Sequence, residues 1–347
     1  MTSRKFLIRR LSAVAVALSV LGGVGFAFRS EIRSGIEAIS GNDFAGTNQT
    51  DVSFVVEDGQ AGSEIIQNLV DQGVVKSFRL TSRLATEQGT TFFPGTYPLR
   101  LEMKSLDALR VLGDHANAIV NRVTIREGLR IGSVFAKLSE ATGIPIAEFK
   151  TAASDLSKFS VGQGAPSLEG YLFPATYSFE PKATALQILQ QMNSRMVSEL
   201  ESFGVPKTKW HRVLTLAALV QAEARLKPDF YKVSRTFLNR IDAGMKLQSD
   251  ATVSYGVNGK TVATSAADRA NDNGYNTYLH AGLPIGPISA PGNVAIDAAL
   301  NPAKGEWLYF CTVNLATGET WFSNTYAEHE IAVRAWQKWM KENPGYE

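Results

Sequence analysis

The feature that most constrains this chain is a charge-free run from Leu11 to Phe28 (LSAVAVALSVLGGVGFAF). Arg4, Lys5, Arg9 and Arg10 precede it, and Arg29, Glu31 and Arg33 close it. A helix that crosses a bilayer needs roughly 17–25 apolar residues, so the run has the length of a single transmembrane helix. Basic residues ahead of such a helix stay on the cytoplasmic side. The expectation is a cytoplasmic N-terminus at 1–10, a membrane anchor at 11–28, and everything after it in an extracytoplasmic compartment. A cleaved secretory signal is the competing reading, because small residues between Gly22 and Ala27 suit a peptidase.

Placed outside the cytoplasm, the rest of the chain has few covalent staples to use. Cys311 is its only cysteine, so no intramolecular disulfide forms and stability rests on packing. Its 347 residues are 44% hydrophobic and 20% charged, which is globular composition with room for two or three folding units. The formal net charge is only +2, so the chain has no general basic field and nucleic acid is an unsuitable partner. His115, His211, His280 and His329 are not at zinc-like spacing, and neither a metal nor a cofactor is expected.

From Arg29 to about Asp51 the sequence is rich in Gly, Ser, Asn and Asp and reads as a stalk. Regular patterning then begins. Val52–Val56 reads as a strand, Gly62–Gln72 and Ser77–Glu87 repeat apolar residues at helical spacing, and the turn at Phe93–Pro98 leads into another strand. Helix returns at Ser105–Leu112, and a similar strand and helix recur at Ile119–Ile125 and Ile131–Thr142. The reading is of small α/β units repeated over 52–160, followed at 161–347 by a mixed α/β region that carries the chemistry. The fold class expected is therefore α+β.

That second region contains Trp210–Ala224 (WHRVLTLAALVQAEA), helix-compatible throughout, with Thr208 as a plausible N-cap and Pro228 as the residue that ends it. Leu216, Leu219, Val220 and Glu223 fall on one stripe of this helix, which sets a carboxylate among branched apolar side chains. Burial and the negative end of the helix dipole both raise a carboxyl pKa. A carboxyl protonated near neutral pH is what breaking a glycosidic bond requires. The bland reading is a glutamate paired with Arg225 or Arg235, or one on a solvated flank.

Five ordered blocks give the sequence a specific likeness: Leu216–Ala224, Phe237–Tyr255 (FLNRIDAGMKLQSDATVSY), Tyr275–Tyr278 (YNTY), Gly282–Gly292 (GLPIGPISAPG) and Ala298–Phe310 (AALNPAKGEWLYF). Together with Glu169–Tyr177 (EGYLFPATY), they resemble the endolytic murein transglycosylase family MltG, also called YceG-like. The resemblance implies a LysM-like fold for 52–160 and places the family's catalytic glutamate at Glu223. A preceding family glutamate is replaced by Gln221, so position 221 is not the proton donor. Ala175, Ala251 and Ile285 also depart from the family pattern, in loops. The likeness further implies a bacterial cell-membrane enzyme that cleaves glycan strands of peptidoglycan between N-acetylmuramic acid and N-acetylglucosamine, leaves 1,6-anhydro ends, and works near glycan synthases.

Asn239, Arg240, Gln248, Asp250, Tyr171 and Asn276 are the candidate substrate-binding residues, as hydrogen-bonding groups or ring faces suited to acetamido sugars. An ion pair between Arg240 and Asp250, and ordinary packing for the tyrosines, are the structural alternatives. Two other functions compete. One is a silent peptidoglycan-binding scaffold; the other is a hydrolase that uses water, with Asp250 or Glu169 as general base.

Overall fold

The computed structural model describes residues 41–259 and 264–345, and contacts divide the chain into two units, Met1–Val120 and Asn121–Glu347. In the first unit, β1 (Asp51–Val56) runs antiparallel to β2 (Gly95–Arg100) with Phe54 opposite Tyr97. Two amphipathic helices, α1 (Gly62–Asp71) and α3 (Ser105–Leu112), cover this ribbon, and a third, α2 (Phe78–Gln88), packs on them. Alternation puts Phe54, Val56, Tyr97 and Leu99 on one face, where they meet Ile65, Leu69 and Leu112 in a closed core. The sequence prepares the ends of these helices: Ser77 accepts a hydrogen bond from Leu80 N–H at the start of α2, and Gly89 ends that helix in the left-handed region.

The second unit begins with β3 (Asn121–Thr124), α4 (Ile131–Thr142) and α5 (Ile146–Ser154). It continues through β4 (Thr176–Phe179), α6 (Ala185–Ser202), α7 (Trp210–Glu223), α8 (Lys227–Asp242), α9 (Asp250–Gly256) and α10 (Ala266–Ala270). The last elements are α11 (Asn293–Leu300), the hairpin β5 (Tyr309–Asn314) and β6 (Glu319–Ser323), and α12 (Tyr326–Glu342). Helix α7 is central: Val213 through Val220 are all buried, so the helix is apolar around its whole circumference and is packed on every side. Burying each Leu or Val of this kind is worth about 1.5–3 kcal/mol. Only its ends emerge: Arg212 is exposed in the first turn and Ala222 in the last, where Gln221 and Glu223 are half-buried.

The fold class read from the sequence needs correction. Twelve helices carry the described residues, and the strands form three separate two-stranded antiparallel sheets, so the molecule is a mixed α/β fold and not a series of repeated α/β units. Strand β3 pairs with β4, on the far side of two helices and a long loop, and does not form a second copy of the β1–β2 arrangement. Local periodicity identifies strands but not their partners, which is why similar short segments looked like repeats. The LysM-like and transmembrane parts of that expectation are not carried forward: among the described residues no helix is long and apolar enough to cross a membrane, and 11–28 lies outside them. The expected boundary at 160 falls inside the second unit, between α5 and β4.

Two local readings also change. Thr208 lies in a 3-10 turn, Lys207–Lys209, and Lys209 is the N-cap of α7 without a side-chain hydrogen bond. Pro228 does not terminate α7; it occupies the first turn of α8, where a missing N–H costs nothing.

Candidate active site

The point where α7 emerges from the core is the floor of a cleft of about 400 Å³. Glu223 is the last residue of α7 and lies on this floor. Ser249 Oγ donates to Glu223 Oε1 at 2.5 Å, a short bond of the charge-assisted kind. Burial pushes the Glu223 carboxyl pKa up; the Ser249 hydrogen bond and the Arg240 guanidinium pull it down, and the negative charge of Asp250 adds to the upward shift.

Ser249 is held in place by a buried network. Its backbone N–H donates to Thr277 Oγ1 at 3.1 Å, and its carbonyl accepts from Thr252 Oγ1 at 2.7 Å. The Thr252 and Thr277 hydroxyls are 2.8 Å apart, and neither residue is accessible to solvent. One residue earlier, Gln248 adopts φ +51° and donates its N–H to Thr277 O, so the backbone is held in a left-handed conformation that a non-glycine residue adopts at a cost. The sequence QSD therefore forms a rigid turn that carries the Ser249 hydroxyl to Glu223 and continues directly into α9.

The structure distributes the candidate residues unevenly. Glu223, Arg240, Gln248 and Asp250 meet in the cleft. Arg240 is buried; its Nε and Nη1 donate to Leu308 O and Leu247 O, each at 2.6 Å, and its guanidinium lies 5.3 Å from the Tyr309 ring centre. Arg240 thus ties the hairpin to the QSD turn while facing Glu223 as a counter-charge. Asp250 accepts from Thr264 Oγ1 and from Tyr278 OH, at 2.5 and 3.0 Å, and among the described residues it pairs with Arg269 at 3.8 Å. The ion pair considered between Arg240 and Asp250 is replaced by this one.

Three candidates lie elsewhere. Tyr171 has no exposed surface and its OH is 3.1 Å from His211 Nδ1, so its ring offers no face to a sugar. Asn276 is equally enclosed; its Nδ2 donates to Arg269 O and Asn271 O, and its Oδ1 accepts from Tyr278 N–H, which fixes the turn that supports Tyr278. Asn239 spends its amide on Gly305 O and Trp307 O, anchoring the approach to β5. All three gave a polar or aromatic signal in the sequence that the fold uses internally.

The cleft also has an aromatic wall, whose tyrosines the sequence does not single out. Tyr309 on β5 and Tyr326 and His329 on α12 line it, with the His329 ring stacked on Tyr309 at 5.2 Å and 21°. Burial and the nearby Arg240 hold the His329 pKa below its usual value, and its Nδ1 is buried without a hydrogen-bond partner among the described residues. In the sequence His329 matches a position of the YceG-like family, for which packing or a cap is the simpler reading. Nothing in its spacing relates it to a helix about a hundred residues earlier.

Residues 54–335 match the YceG-like family. An endolytic murein transglycosylase from Bacillus subtilis is 31% identical to the chain over 308 residues, covering 82% of this chain and 84% of that protein. A protein of the same description from Streptococcus pneumoniae is 27% identical and covers 81% of this chain and 58% of its own length. Among solved structures, a yceG-like protein from Listeria monocytogenes aligns with a TM-score of 0.55 at 26% identity, over 82% of this chain and 99% of that one.

Proposed function

This chain belongs to the YceG-like family, and on that premise we propose that it is a lytic transglycosylase of murein in which Glu223 serves as both acid and base. The observation that carries the assignment is a carboxyl of raised pKa on the floor of a cleft, held by Ser249 through one oxygen. The substrate is the glycan strand of peptidoglycan, cut between N-acetylmuramic acid and N-acetylglucosamine.

In the first step the Glu223 carboxyl gives its proton to the glycosidic oxygen as the bond from that oxygen to C1 breaks, and the bonding pair leaves with the oxygen. The sugar ring becomes oxocarbenium-like, and the negative charge of Asp250 lies in the same cleft to stabilise it. The 6-hydroxyl of that muramic acid then attacks C1 and returns a proton to the Glu223 carboxylate. A 1,6-anhydro end is formed, no water is consumed, and one carboxyl does the work that two share in a hydrolase. Gln248 offers an amide and the exposed Tyr326 a ring face to the bound sugars, while Tyr309 is held between His329 and Arg240 as part of the wall. The same reading places the protein at the extracytoplasmic face of the bacterial cell membrane, supported by the basic cluster ahead of the charge-free run at 11–28. It also assigns termination of strand growth beside glycan synthases as the setting.

Mass spectrometry of purified sacculi digested with the full chain and with Glu223→Gln tests the proposal. Expected are 1,6-anhydro ends from the native protein and none from the variant. Reducing ends would instead establish a water-using hydrolase, and tight binding without new ends a scaffold.

A further inference from the structure

A second cavity, of about 820 Å³, lies at the opposite end of α9 from the Glu223 cleft. Asp250 at the start of the helix lines the cleft, and Tyr255 and Gly256 at its end line the cavity. At 1.5 Å rise per residue the helix separates the two by roughly 10 Å. The size is within the ~300–1,000 Å³ range of small-molecule and cofactor sites.

The groups around this cavity are polar and aromatic, and its Arg130 and Glu169 side chains are hydrogen-bonded within the fold. Arg130 donates to Gly259 O at 2.7 Å and to Ser254 Oγ at 3.1 Å, and its guanidinium lies 5.4 Å from the Tyr255 ring centre. Glu169, only 1% exposed, accepts the Ile131 N–H at the head of α4 through both oxygens, at 3.1 and 2.9 Å, and is hydrogen-bonded to Tyr255. The Tyr255 and Tyr275 rings are 4.7 Å apart and tilted by 58°, each half-buried with part of its surface on the cavity. Ser133 and Asn258, both exposed at the rim, supply a hydroxyl and an amide. Ring faces beside neutral donors and acceptors, with the Arg130 and Glu169 side chains already hydrogen-bonded within the fold, suit an uncharged sugar.

We propose that the Tyr255–Tyr275 cavity is a second saccharide subsite, which binds an uncharged N-acetylated sugar of the same strand whose scissile bond lies at Glu223. The inference rests on the glycan-strand reading of the cleft. A polymer bound at both ends of α9 gains affinity through the linked sites, because the second contact is intramolecular once the first is made. A one- or two-sugar fragment reaches only one of them. Chain length, not the identity of the cut bond, is therefore what this cavity reads.

Gly132 provides a clean test, because it lines the cavity and a Cβ added there meets nothing within 4 Å. Gly132→Trp should fill the space without disturbing the core, and circular dichroism and thermal unfolding check that it folds. Peptide-free murein strands, fractionated from one disaccharide to six, are titrated against Glu223→Gln protein with and without Gly132→Trp. The expected result is an approximately tenfold weaker Kd for strands of four disaccharides or more and an unchanged Kd for the single disaccharide. Tyr275→Ala should show the same length dependence through the loss of a ring face. Equal weakening at every length, or no weakening, overturns the subsite. Retained cleavage by Glu223→Gln would remove the catalytic assignment instead, so the two failures are distinguishable.

Discussion

The Glu223 cleft and the Glu169 cavity each contain a glutamate of raised pKa, and the contrast between them separates a reactive carboxyl from a structural one. Burial is the largest cause of the shift in both. The surroundings differ. Glu169 faces the N-terminus of α4, where a backbone N–H and the positive helix pole favour its charge, yet burial still carries it to about 7. Glu223 ends α7 at the negative pole, beside Asp250, and only one oxygen accepts a hydrogen bond from the described residues. Glu169 has both oxygens committed and almost no exposed surface, whereas Glu223 opens onto a cleft. A raised pKa marks both, but only an oxygen free to meet substrate makes an acid.

The largest expected effect breaks the comparison on the cleft side. General acid–base catalysis contributes about 10²–10⁴-fold, so Glu223→Gln should lower turnover of glycan strands by roughly 10³-fold. Because the variant removes a buried ionisable group, its Tm at pH 8 should be no lower than the native one. Activity within tenfold of native, measured as 1,6-anhydro ends released per minute, would take the acid away from Glu223.

The next effect belongs to the other glutamate and concerns stability. The folded pKa of Glu169 is raised from the usual value near 4.5 to about 7, so its contribution is fully present below 4.5 and is lost as pH rises through 7. The loss amounts to about 3 kcal/mol, at about 1.4 kcal/mol per pH unit. Urea unfolding between pH 4.5 and 8 should therefore show native stability declining across that window relative to Glu169→Gln, which lacks the titration. Glu223 titrates in both proteins and cancels from the difference. Parallel curves would mean that Glu169 is charged throughout.

The backbone beside Glu169 sets a third expectation. Gly170 has φ +77°, and a Cβ there would be 2.3 Å from Pro287 Cβ. Gly170→Ala should cost about 2 kcal/mol by adding both strain and a clash between the EGYLFP segment and the Pro/Gly-rich loop. Thermal unfolding measures it. A neutral substitution would show that the loop gives way easily, and would weaken the case that Glu169 is rigidly positioned.

The sequence revealed these regions unequally, for physical reasons. Helix α7 was legible because its apolar pattern is long, and the stripe through Leu216, Leu219 and Val220 correctly put Glu223 at the border of the core. Helix α9 leaves no periodic signal in the sequence, since seven residues with Ser and Gly among them carry too few turns. The aromatic wall of Tyr309, Tyr326 and His329 depends on the hairpin and α12 folding back, a long-range contact that spacing does not encode. Tyr171 and Asn276 misled for the opposite reason: a polar or aromatic residue in a conspicuous motif looks the same in sequence whether it binds a ligand or ties two loops together. The strand pairing of β3 with β4 was likewise hidden, because alternation specifies a face and not a partner.

The smallest effect tests the donor that distinguishes the two glutamates most directly. Ser249 Oγ stabilises the charged form of Glu223, so Ser249→Ala should raise the Glu223 pKa further. Cleavage needs Glu223 protonated at the outset, so the basic limb of the kcat/KM profile reports this pKa and should move to higher pH. At the native optimum kcat should fall about tenfold, since a hydrogen bond to a charged group is worth about 1.5–3 kcal/mol and part of that orients the carboxyl. Ser249→Thr keeps the hydroxyl and should restore the basic limb even if packing costs some activity. A purely structural serine would lower Tm and leave the limb where it was. In that case burial and Asp250 alone would set the Glu223 pKa, and the contrast with Glu169 would reduce to which of the two carboxyls the substrate can reach.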